Sequence, residues 1–214
     1  FSFHPVKTMA MGEGGAVTSR SSAEADEIRE LRNHGMVRAP ERFLNTELGF
    51  DDNGEPNVWY YEMQALGYNF RITDIQCALG ISQLKKLAGF IQRRENLRQQ
   101  YEDGIDVRGL PLKAVPRVDG CEPGWHLFSV LIDFDIVGKT RNKCMRELRD
   151  LGVGTQVHYI PVHKQPYYAE KYTETPELPG VEEYYRRTLS LPLFPSMEDG
   201  DVLKVLDALG KVLS

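Results

Sequence analysis

Residues 1–16 read FSFHPVKTMAMGEGGA, a stretch in which a lysine follows a proline and precedes a run of glycines. Lys7 lies two residues after Pro5, and three of the four positions 12–15 are glycine. A lysine can form a Schiff base with a carbonyl when desolvation or a nearby cation lowers its pKa. Ser2 offers a hydroxyl to a phosphate, and a glycine-rich turn lets the backbone approach a ligand. From this spacing alone, a solvated surface lysine is the better interpretation.

A second stretch, residues 68–80, reads YNFRITDIQCALG and opens a strongly periodic segment. Thr73 and Asp74 supply a helix N-terminus, and the apolar residues that follow recur at helical spacing. We predict a helix here that continues through a kink near Gly89. The charged run at 93–95 is interpreted as a solvated face of that helix.

The remaining sequence predicts a mixture of strands and helices. Turn residues and periodicity predict strands at 16–19, 126–132 and 154–159, helices at 23–33, 140–151, 181–189 and 197–212, a long connection at 36–61, and loops at 111–124 and around Pro161, Pro166, Pro176 and Pro179. Ser196 and Asp199 resemble a capping box for the last helix. The order strand, helix, strand between 126 and 159 predicts a βαβ-type unit.

The composition limits the class of protein. The chain has 214 residues, of which 41% are hydrophobic, which is typical of globular proteins and sufficient for one large domain or two modest ones. Its 26 Lys and Arg against 31 Asp and Glu give a net charge of −5, which argues against nucleic acid as a partner. The apolar runs are too short for a membrane span, and no signal-peptide pattern opens the chain. We therefore predict no membrane partner and a cytoplasmic location.

Neither the cysteines nor the histidines have the spacing of a metal site. Cys77, Cys121 and Cys144 are an odd number without close pairs, so no disulfide framework or zinc site is expected. His34, His126 and His163 lack metal-ligand spacing with one another. We predict that the protein binds no metal.

The two quoted stretches resemble the signatures of a known family. Residues 1–7 followed by 12–16 are similar to the lysine motif of the DegT/StrS-type sugar aminotransferases, which use pyridoxal 5′-phosphate (PLP). Residues 68–80 resemble the second signature of that family. HYIP at 158–161 and LSLP at 189–192 resemble segments of its small domain. The resemblance covers essentially the whole chain.

The resemblance implies an α/β chain of the fold type I PLP aminotransferase kind. Residues 1–87 would be the C-terminal part of the large PLP-binding domain, 88–110 a bridging helix, and 111–214 a small C-terminal α+β domain. In the family, an acid for the pyridine nitrogen, a ring-stacking residue and a phosphate-binding helix lie upstream of the lysine. Because the chain opens on Phe1 in apparent mid-domain sequence, we expect that upstream half to be missing.

The same resemblance assigns cofactor roles to three residues. Lys7 would bond covalently to PLP and then move a proton between the cofactor carbon and the substrate carbon. Ser2 would contact the cofactor phosphate, although a strand-end serine bonded to nearby backbone is the alternative. Asn69 would reach the phosphate of the neighbouring subunit in a homodimer, and its alternative is a simple turn residue.

Five further residues are candidates for substrate binding. Arg71 would pair with the phosphate or with the donor carboxylate, and an ion pair with Asp74 is an equal alternative. His4 would line the site, unless the backbone already satisfies its ring. The small domain closes over the substrate in this family, so three of its residues would contact the sugar or diphosphate. These are Gln156, His158 and Tyr159. A lone histidine in a β-prone run is more often a satisfied core residue.

The implied function is transfer of an amino group from L-glutamate to a nucleotide-linked 4-keto-6-deoxy sugar. The likeness is greatest to enzymes that aminate C4 of a UDP-linked N-acetylhexosamine on the route to pseudaminic acid, as residues 4–7 and 69–71 indicate. Relatives that dehydrate sugars carry histidine instead of the lysine, so Lys7 disfavours dehydration. One alternative from another class stays open, in which this chain is a non-catalytic, self-associating domain.

Overall fold

A computed structural model describes residues 1–172 and 177–214. The chain divides into two compact units, Phe1–Leu84 and Lys85–Ser214. The helices are α1 Ser22–Leu31, α2 Thr46–Gly49, α3 Asp74–Leu84, α4 Leu87–Arg108, α5 Phe134–Val137, α6 Arg141–Asp150, α7 Pro166–Lys171, α8 Pro179–Arg187 and α9 Asp199–Leu213. The strands are β1 Met36–Val37, β2 Glu62–Met63, β3 Leu112–Ala114, β4 Phe128–Ile132 and β5 Thr188–Leu191. Pro176, predicted as part of a loop, lies outside the described residues.

The first unit consists largely of irregular backbone between short elements. Helix α1 begins after Ser21, whose side chain accepts a hydrogen bond from the backbone N–H of Glu24. Strands β1 and β2 pair antiparallel, with Met36 opposite Met63. The predicted connection at 36–61 is mostly irregular, as expected from its prolines and glycines, and it includes α2 and a 3₁₀ turn at Pro40–Arg42.

The second unit is an antiparallel sheet of order β3-β4-β5 packed against helices. Strand β4 alternates buried and half-buried residues, so one face of the sheet meets the core. Helix α9 packs its apolar face against that core. Its N-terminus is capped by the Asp201 carboxylate, which accepts a hydrogen bond from the backbone N–H of Glu198 at 2.9 Å. The predicted capping box thus lies two residues later than Ser196.

The two units bury very different amounts of apolar surface. Among the described residues, Met11 and Val37 are the buried apolar side chains of the first unit. The contiguous core lies in the second unit and comprises Leu97, Tyr101, Ile105, Leu112, Phe128, Val130, Ile132, Cys144, Leu148, Val153, Leu189, Leu191, Leu193, Met197, Val202, Val205, Leu206, Ala208, Leu209, Val212 and Leu213. The second unit is therefore the one with an extensive core of its own.

Two predicted strands are wrong. Residues 16–19 are irregular, because this stretch has no partner strand in the described part of the chain; the isolated bridge nearby joins Ser2 to Gly15, just before it. Residues 154–159 form one isolated antiparallel bridge, Gln156 with Ser190. Since β4 also pairs antiparallel with both neighbours, the predicted βαβ-type unit is wrong as well.

Some helix details also differ from the predictions. The break between α3 and α4 lies at Lys85 and Lys86 and not at Gly89, which is inside α4. The end of the helix predicted at 181–189 is strand β5, because four consecutive residues there are buried against β4. Arg94, predicted on a solvated face, is 5% exposed and donates to the carbonyls of His126 and Leu193.

The predicted division into domains stays a prediction: a large domain at 1–87, a bridge at 88–110 and a small domain at 111–214.

No helix within residues 1–172 and 177–214 combines the length and the apolar composition that a membrane crossing requires. Cys77, Cys121 and Cys144 all carry free thiols.

Candidate active site

The first sixteen residues form a closed loop. The backbone N–H of Phe3 donates to Gly14 at 2.9 Å, and that of Ala16 donates to Phe1 at 3.1 Å. Gly15 is required at this closure, because a Cβ there would lie 2.9 Å from the carbonyl oxygen of Phe1. The lysine motif and the glycine run, adjacent in sequence, are therefore the two sides of one loop.

Lys7 ends a tight turn inside this loop. Its backbone N–H donates to the carbonyl of His4 at 2.9 Å, and Pro5 supplies the fixed φ that such a turn favours at its second position. The Lys7 side chain is half-buried. Among the residues that the structure describes, its ammonium has no hydrogen-bond or ion-pair partner. An amine that is not held in an ion pair is free to approach the carbonyl of a ligand.

Ser2 and His4 lie beside Lys7 in the same loop. The Ser2 hydroxyl is exposed and accepts a long hydrogen bond of 3.5 Å from the backbone N–H of His4. His4 accepts at Nδ1 from the backbone N–H of Val6 at 3.4 Å, and its Nε2 lies 3.8 Å from a carboxylate oxygen of Glu13. Local backbone thus engages both side chains, while Ser2 keeps its hydroxyl proton available to a ligand.

The second motif contacts the glycine side of the lysine loop through Gln76. Gln76 lies in the first turn of α3, and its side-chain oxygen accepts from the backbone N–H and the hydroxyl of Thr73 at 3.1 and 2.9 Å. The amide nitrogen of Gln76 donates to the carbonyl of Glu13 at 2.9 Å. One side chain therefore caps the helix and binds the glycine side of the loop.

Glycines allow the two motifs to pack closely. A Cβ on Gly80 would lie 2.6 Å from the sulfur of Met11, so Met11 is buried directly on the helix backbone. A Cβ on Gly14 would lie 3.2 Å from the side chain of Ile72. The two stretches singled out in the sequence, residues 1–16 and 68–80, are thus in contact.

Asn69 and Arg71 do not take part in this contact. Both interact with Asn33, which lies just after α1. Asn69 makes an isolated antiparallel bridge with Asn33, and its side chain is exposed. The Arg71 guanidinium donates to the side-chain oxygen of Asn33. No ion pair joins Arg71 to Asp74 in the described part of the chain, so the structural alternative for Arg71 is not observed.

The other three candidates lie together in the second unit. Gln156 is exposed and pairs with Ser190 through the backbone, while its side-chain oxygen accepts from the N–H of Val157 at 2.9 Å. The half-buried His158 bonds through Nδ1 to the Ser190 hydroxyl at 2.8 Å. Tyr159 is 66% exposed, with its ring edge-on to that of His158. This group and the Lys7 loop belong to different units.

Sequence reasoning missed the residues that hold these candidates in position. Gln76 and Ser190 lie inside the quoted stretches and Ser129 inside the predicted strand at 126–132, but only the structure shows their side-chain contacts. The spacing Thr-x-x-Gln at 73–76 is a capping-box signal that identifies Gln76. Ser129 has no local signal, because its contact with Ser190 depends on strand pairing. Among the described residues, no group of three or more His, Cys, Asp and Glu side chains is arranged to hold a metal ion.

The chain is similar to known proteins in both sequence and fold. The chain is 38% identical over 216 residues to the spore coat polysaccharide biosynthesis protein SpsC of Bacillus subtilis (strain 168), an alignment that covers 100% of this chain and 53% of SpsC. It superposes on Helicobacter pylori PseC, an aminotransferase involved in the biosynthesis of pseudoaminic acid, with a TM-score of 0.83 and 25% identity over 99% of this chain and 52% of PseC. It also superposes on DesI, crystallised in the presence of its TDP-sugar product, with a TM-score of 0.78 and 25% identity over 100% of this chain and 48% of DesI.

These similarities fix the fold class and the family. The chain spans about half the length of the relatives that it matches. Its structural neighbours are fold type I PLP-dependent aminotransferases, and the predicted fold class is confirmed. A family model of the DegT/DnrJ/EryC1/StrS aminotransferases matches residues 1–210. The chain therefore belongs to the DegT/DnrJ/EryC1/StrS aminotransferase family, whose aminotransferases depend on pyridoxal 5′-phosphate, as predicted.

Proposed function

We propose that this chain supplies the lysine-bearing part of a PLP-dependent sugar aminotransferase. The reaction would move an amino group from L-glutamate to the carbonyl carbon of a nucleotide-linked 4-keto-6-deoxy sugar. The observation that supports it is the position of Lys7, whose side chain is half-buried and, among the described residues, has no ion-pair partner. The loop that carries it is closed at its glycines and bonded to Gln76 of the second motif. Within this class, the similarity to PseC and the sequence of residues 4–7 favour one substrate, a UDP-linked N-acetylhexosamine of pseudaminic acid biosynthesis.

The residues of the loop fit the cofactor. Bound PLP would supply an aldehyde and an electron sink. Lys7 would hold that aldehyde carbon through its Nζ and, once released by the donor, move a proton between the donor carbon and the cofactor carbon. The Ser2 hydroxyl and the exposed Asn69 amide have the donor groups that a phosphate needs, Asn69 from a partner subunit. The predicted homodimer and cytoplasmic location are part of this proposal.

The substrate-binding roles also belong to this proposal. Arg71 carries the positive charge that a phosphate or the donor carboxylate would need, and His4 lies in the same loop as Lys7. In the second unit, Gln156 and Tyr159 are exposed and lie beside His158. Amide, phenol and imidazole groups can all donate to sugar and diphosphate oxygens.

One observation favours the alternative of a self-associating, non-catalytic domain. The first unit exposes many large apolar side chains and buries few. The largely exposed ones include Phe1, Val17, Leu44, Val58, Trp59, Leu66, Phe70 and Ile75. Surface of this kind is usually covered by another polypeptide. The catalytic and non-catalytic proposals differ in what Lys7 does.

Covalent trapping of the cofactor separates these two proposals. The whole protein would be incubated with PLP, reduced with borohydride and digested, and the peptide masses would be measured by mass spectrometry. We expect the mass of the reduced cofactor on the peptide that contains Lys7. Lys7→Arg keeps the charge but should carry no such mass, whereas Lys113→Arg, at an exposed lysine of β3, should label as wild type does. A folded whole protein that shows no label at Lys7 contradicts the catalytic proposal.

The reaction itself is tested on the whole protein. With L-glutamate as the donor, amination would be measured across several nucleotide-linked keto sugars. We expect Lys7→Arg to lower the rate by about a thousandfold or more, since both the covalent link and the proton transfer are lost. Equal rates for wild type and Lys7→Arg would exclude the proposed role of Lys7.

A further inference from the structure

Asn33 lies directly opposite Asn69 where two short segments of the first unit pair antiparallel. Two backbone hydrogen bonds flank this pair, from His34 to the carbonyl of Tyr68 at 3.0 Å and from Phe70 to that of Arg32 at 2.8 Å. When the bonds flank a pair in this way, the two opposite side chains lie at their closest. The side chains of Asn33 and Asn69 therefore share one face of the paired segments.

Arg71 lies on that same face. The rings of Tyr68 and Phe70 stack on each other with centroids 5.3 Å apart, as alternate side chains of an extended segment do. The side chains between and after them, Asn69 and Arg71, then point to the opposite side. In agreement, the Arg71 guanidinium donates a hydrogen bond to the side-chain oxygen of Asn33.

Asn33 holds the Arg71 guanidinium without neutralising its charge. An amide oxygen accepts a hydrogen bond but carries no net charge, and within residues 1–172 and 177–214 no carboxylate forms an ion pair with Arg71. The Asn69 side chain is exposed, and its amide has no hydrogen-bond partner in the described part of the chain. An intact positive charge and unused N–H donors thus lie together, and an anionic oxygen group binds to such a combination.

We propose that Asn33 is a positioning residue that holds the Arg71 guanidinium, with its charge intact, beside the Asn69 amide so that both bind one anionic group of a ligand. This deepens the proposed function and rests on it, because Asn69 and Arg71 are the proposed contacts to the cofactor phosphate or the donor carboxylate. A guanidinium that is already oriented loses less side-chain freedom when the anion binds.

Trapping of two aldehydes on the whole protein tests this role. Lys7 would be labelled over a range of concentrations of PLP and, separately, of pyridoxal, which lacks the phosphate. The concentration that gives half of the maximal label would be compared between each variant and wild type. If the phosphate is the anion, Asn33→Ala should raise this concentration about fivefold for PLP and leave it unchanged for pyridoxal.

Asn33→Asp separates this role from a merely structural one. It keeps the acceptor for Arg71 but pairs its charge, so labelling by PLP should weaken at least as much as in Asn33→Ala, whereas a structural role would be restored. Because the hydrogen bond is kept, this variant tests the proposal even if Asn33→Ala does not fold. Asn57→Ala is the matched control, since it removes a 3.0 Å bond from the Asn57 amide to the carbonyl of Leu48 in the same unit and should change neither labelling curve.

Kinetics with the amino donor distinguish the two sources of the anion. If the donor carboxylate is the anion, both Asn33 variants should label with PLP as wild type does and should raise KM for L-glutamate about fivefold, with little change in kcat. The inference is overturned if Asn33→Asp behaves as wild type, if labelling by PLP and by pyridoxal weakens together, or if neither labelling nor KM changes. Absence of label at Lys7 in the wild-type protein would overturn the proposed function and this inference with it, whereas labelled wild type with unchanged variants would overturn the inference alone.

Discussion

Gly67 and Gly35 lie where two backbone segments of the first unit touch. A Cβ on Gly67 would lie 2.3 Å from the backbone nitrogen of Gly35 and 2.5 Å from the carbonyl oxygen of Leu31. Backbone atoms cannot move aside as a flexible side chain can. We expect Gly67→Ala to lower the free energy of unfolding of this region by roughly 1–3 kcal/mol.

Amide hydrogen exchange would localise that effect. Exchange should accelerate in peptides covering 31–35 and 65–70, which share these contacts, and stay unchanged in the second unit. Gly89→Ala is the control, because nothing lies within 4 Å of a Cβ there. Alanine inside helix α4 should instead stabilise by up to about 1 kcal/mol. Equal effects of the two substitutions would contradict the steric explanation.

Glu62 makes the long connection of the first unit sensitive to acid. The backbone N–H of Leu44 is the main group that lowers the pKa of Glu62 to about 2, aided by the Tyr60 hydroxyl and Gln64. A carboxyl whose pKa is lowered by folding stabilises the folded state above its unfolded pKa, near 4.3, and this stabilisation disappears as the pH falls toward 2. Glu62→Gln removes the carboxylate at every pH.

We therefore expect wild type to be more stable than Glu62→Gln at neutral pH, and the difference to shrink between about pH 4.5 and pH 2. The measurement is the urea midpoint of both proteins at a series of pH values. Glu55→Gln, on an exposed carboxylate of the same connection, is the control and should show no such convergence. A difference that stays constant down to pH 2 would exclude Glu62 as the acid-sensitive group.

Single residues differ in how far the sequence alone predicts them. Lys7 could be identified because its neighbours in sequence are also its neighbours in space, in one closed loop. Arg94 could not, because its burial depends on the carbonyls of His126 and Leu193, which lie 32 and 99 residues away. Ser190 illustrates both cases, since its motif was recognised while its hydroxyl contacts were not.

At the scale of elements, helix α3 and the lysine loop are coupled through Gln76. Gln76→Ala removes the bonds from Thr73 and the bond to Glu13 together, so both the helix start and the glycine side of the loop should loosen. The loss of a cap costs about 1 kcal/mol. Because Lys7 lies in that loop, the yield of cofactor trapped on Lys7 should also fall.

Thr73→Ala is the matched control for this coupling. It removes the hydroxyl of the cap but leaves the Gln76 amide free to bind Glu13. Hydrogen exchange should therefore accelerate at 74–80 in both variants and at 11–16 in Gln76→Ala alone. Identical exchange at 11–16 in the two variants would show that the bond to Glu13 does not hold the loop.

Helices were predicted better than strands for a physical reason. Helices α1 and α6 begin directly after Ser21 and Thr140, whose side chains accept from backbone N–H groups three residues later, so the signal is local. A strand exists only when a distant segment pairs with it. Residues 154–159 have strand-like composition but one bridge, whereas β5 directly follows a helical pattern and is a strand because β4 lies beside it.

At the scale of the whole molecule, the core is a property of the second unit. Every member of the contiguous apolar cluster lies between Leu97 and Leu213. Sequence length and composition indicated that the chain could bury a sizeable core, but they could not show that one unit holds nearly all of it. The distribution depends on which apolar residues meet in three dimensions.

We expect residues 85–214 to fold without residues 1–84. Trp125 is the sole tryptophan of this segment, so its fluorescence should report one cooperative transition in urea. Leu206 of α9 is fully buried, and Leu206→Ala should cost about 2–5 kcal/mol, whereas Leu203→Ala on the same helix, at a side chain 54% exposed, should change stability by about 0.5 kcal/mol or less. A gradual transition, or equal effects of the two substitutions, would mean that this segment lacks a packed core when it is alone and that its burial depends on the rest of the protein.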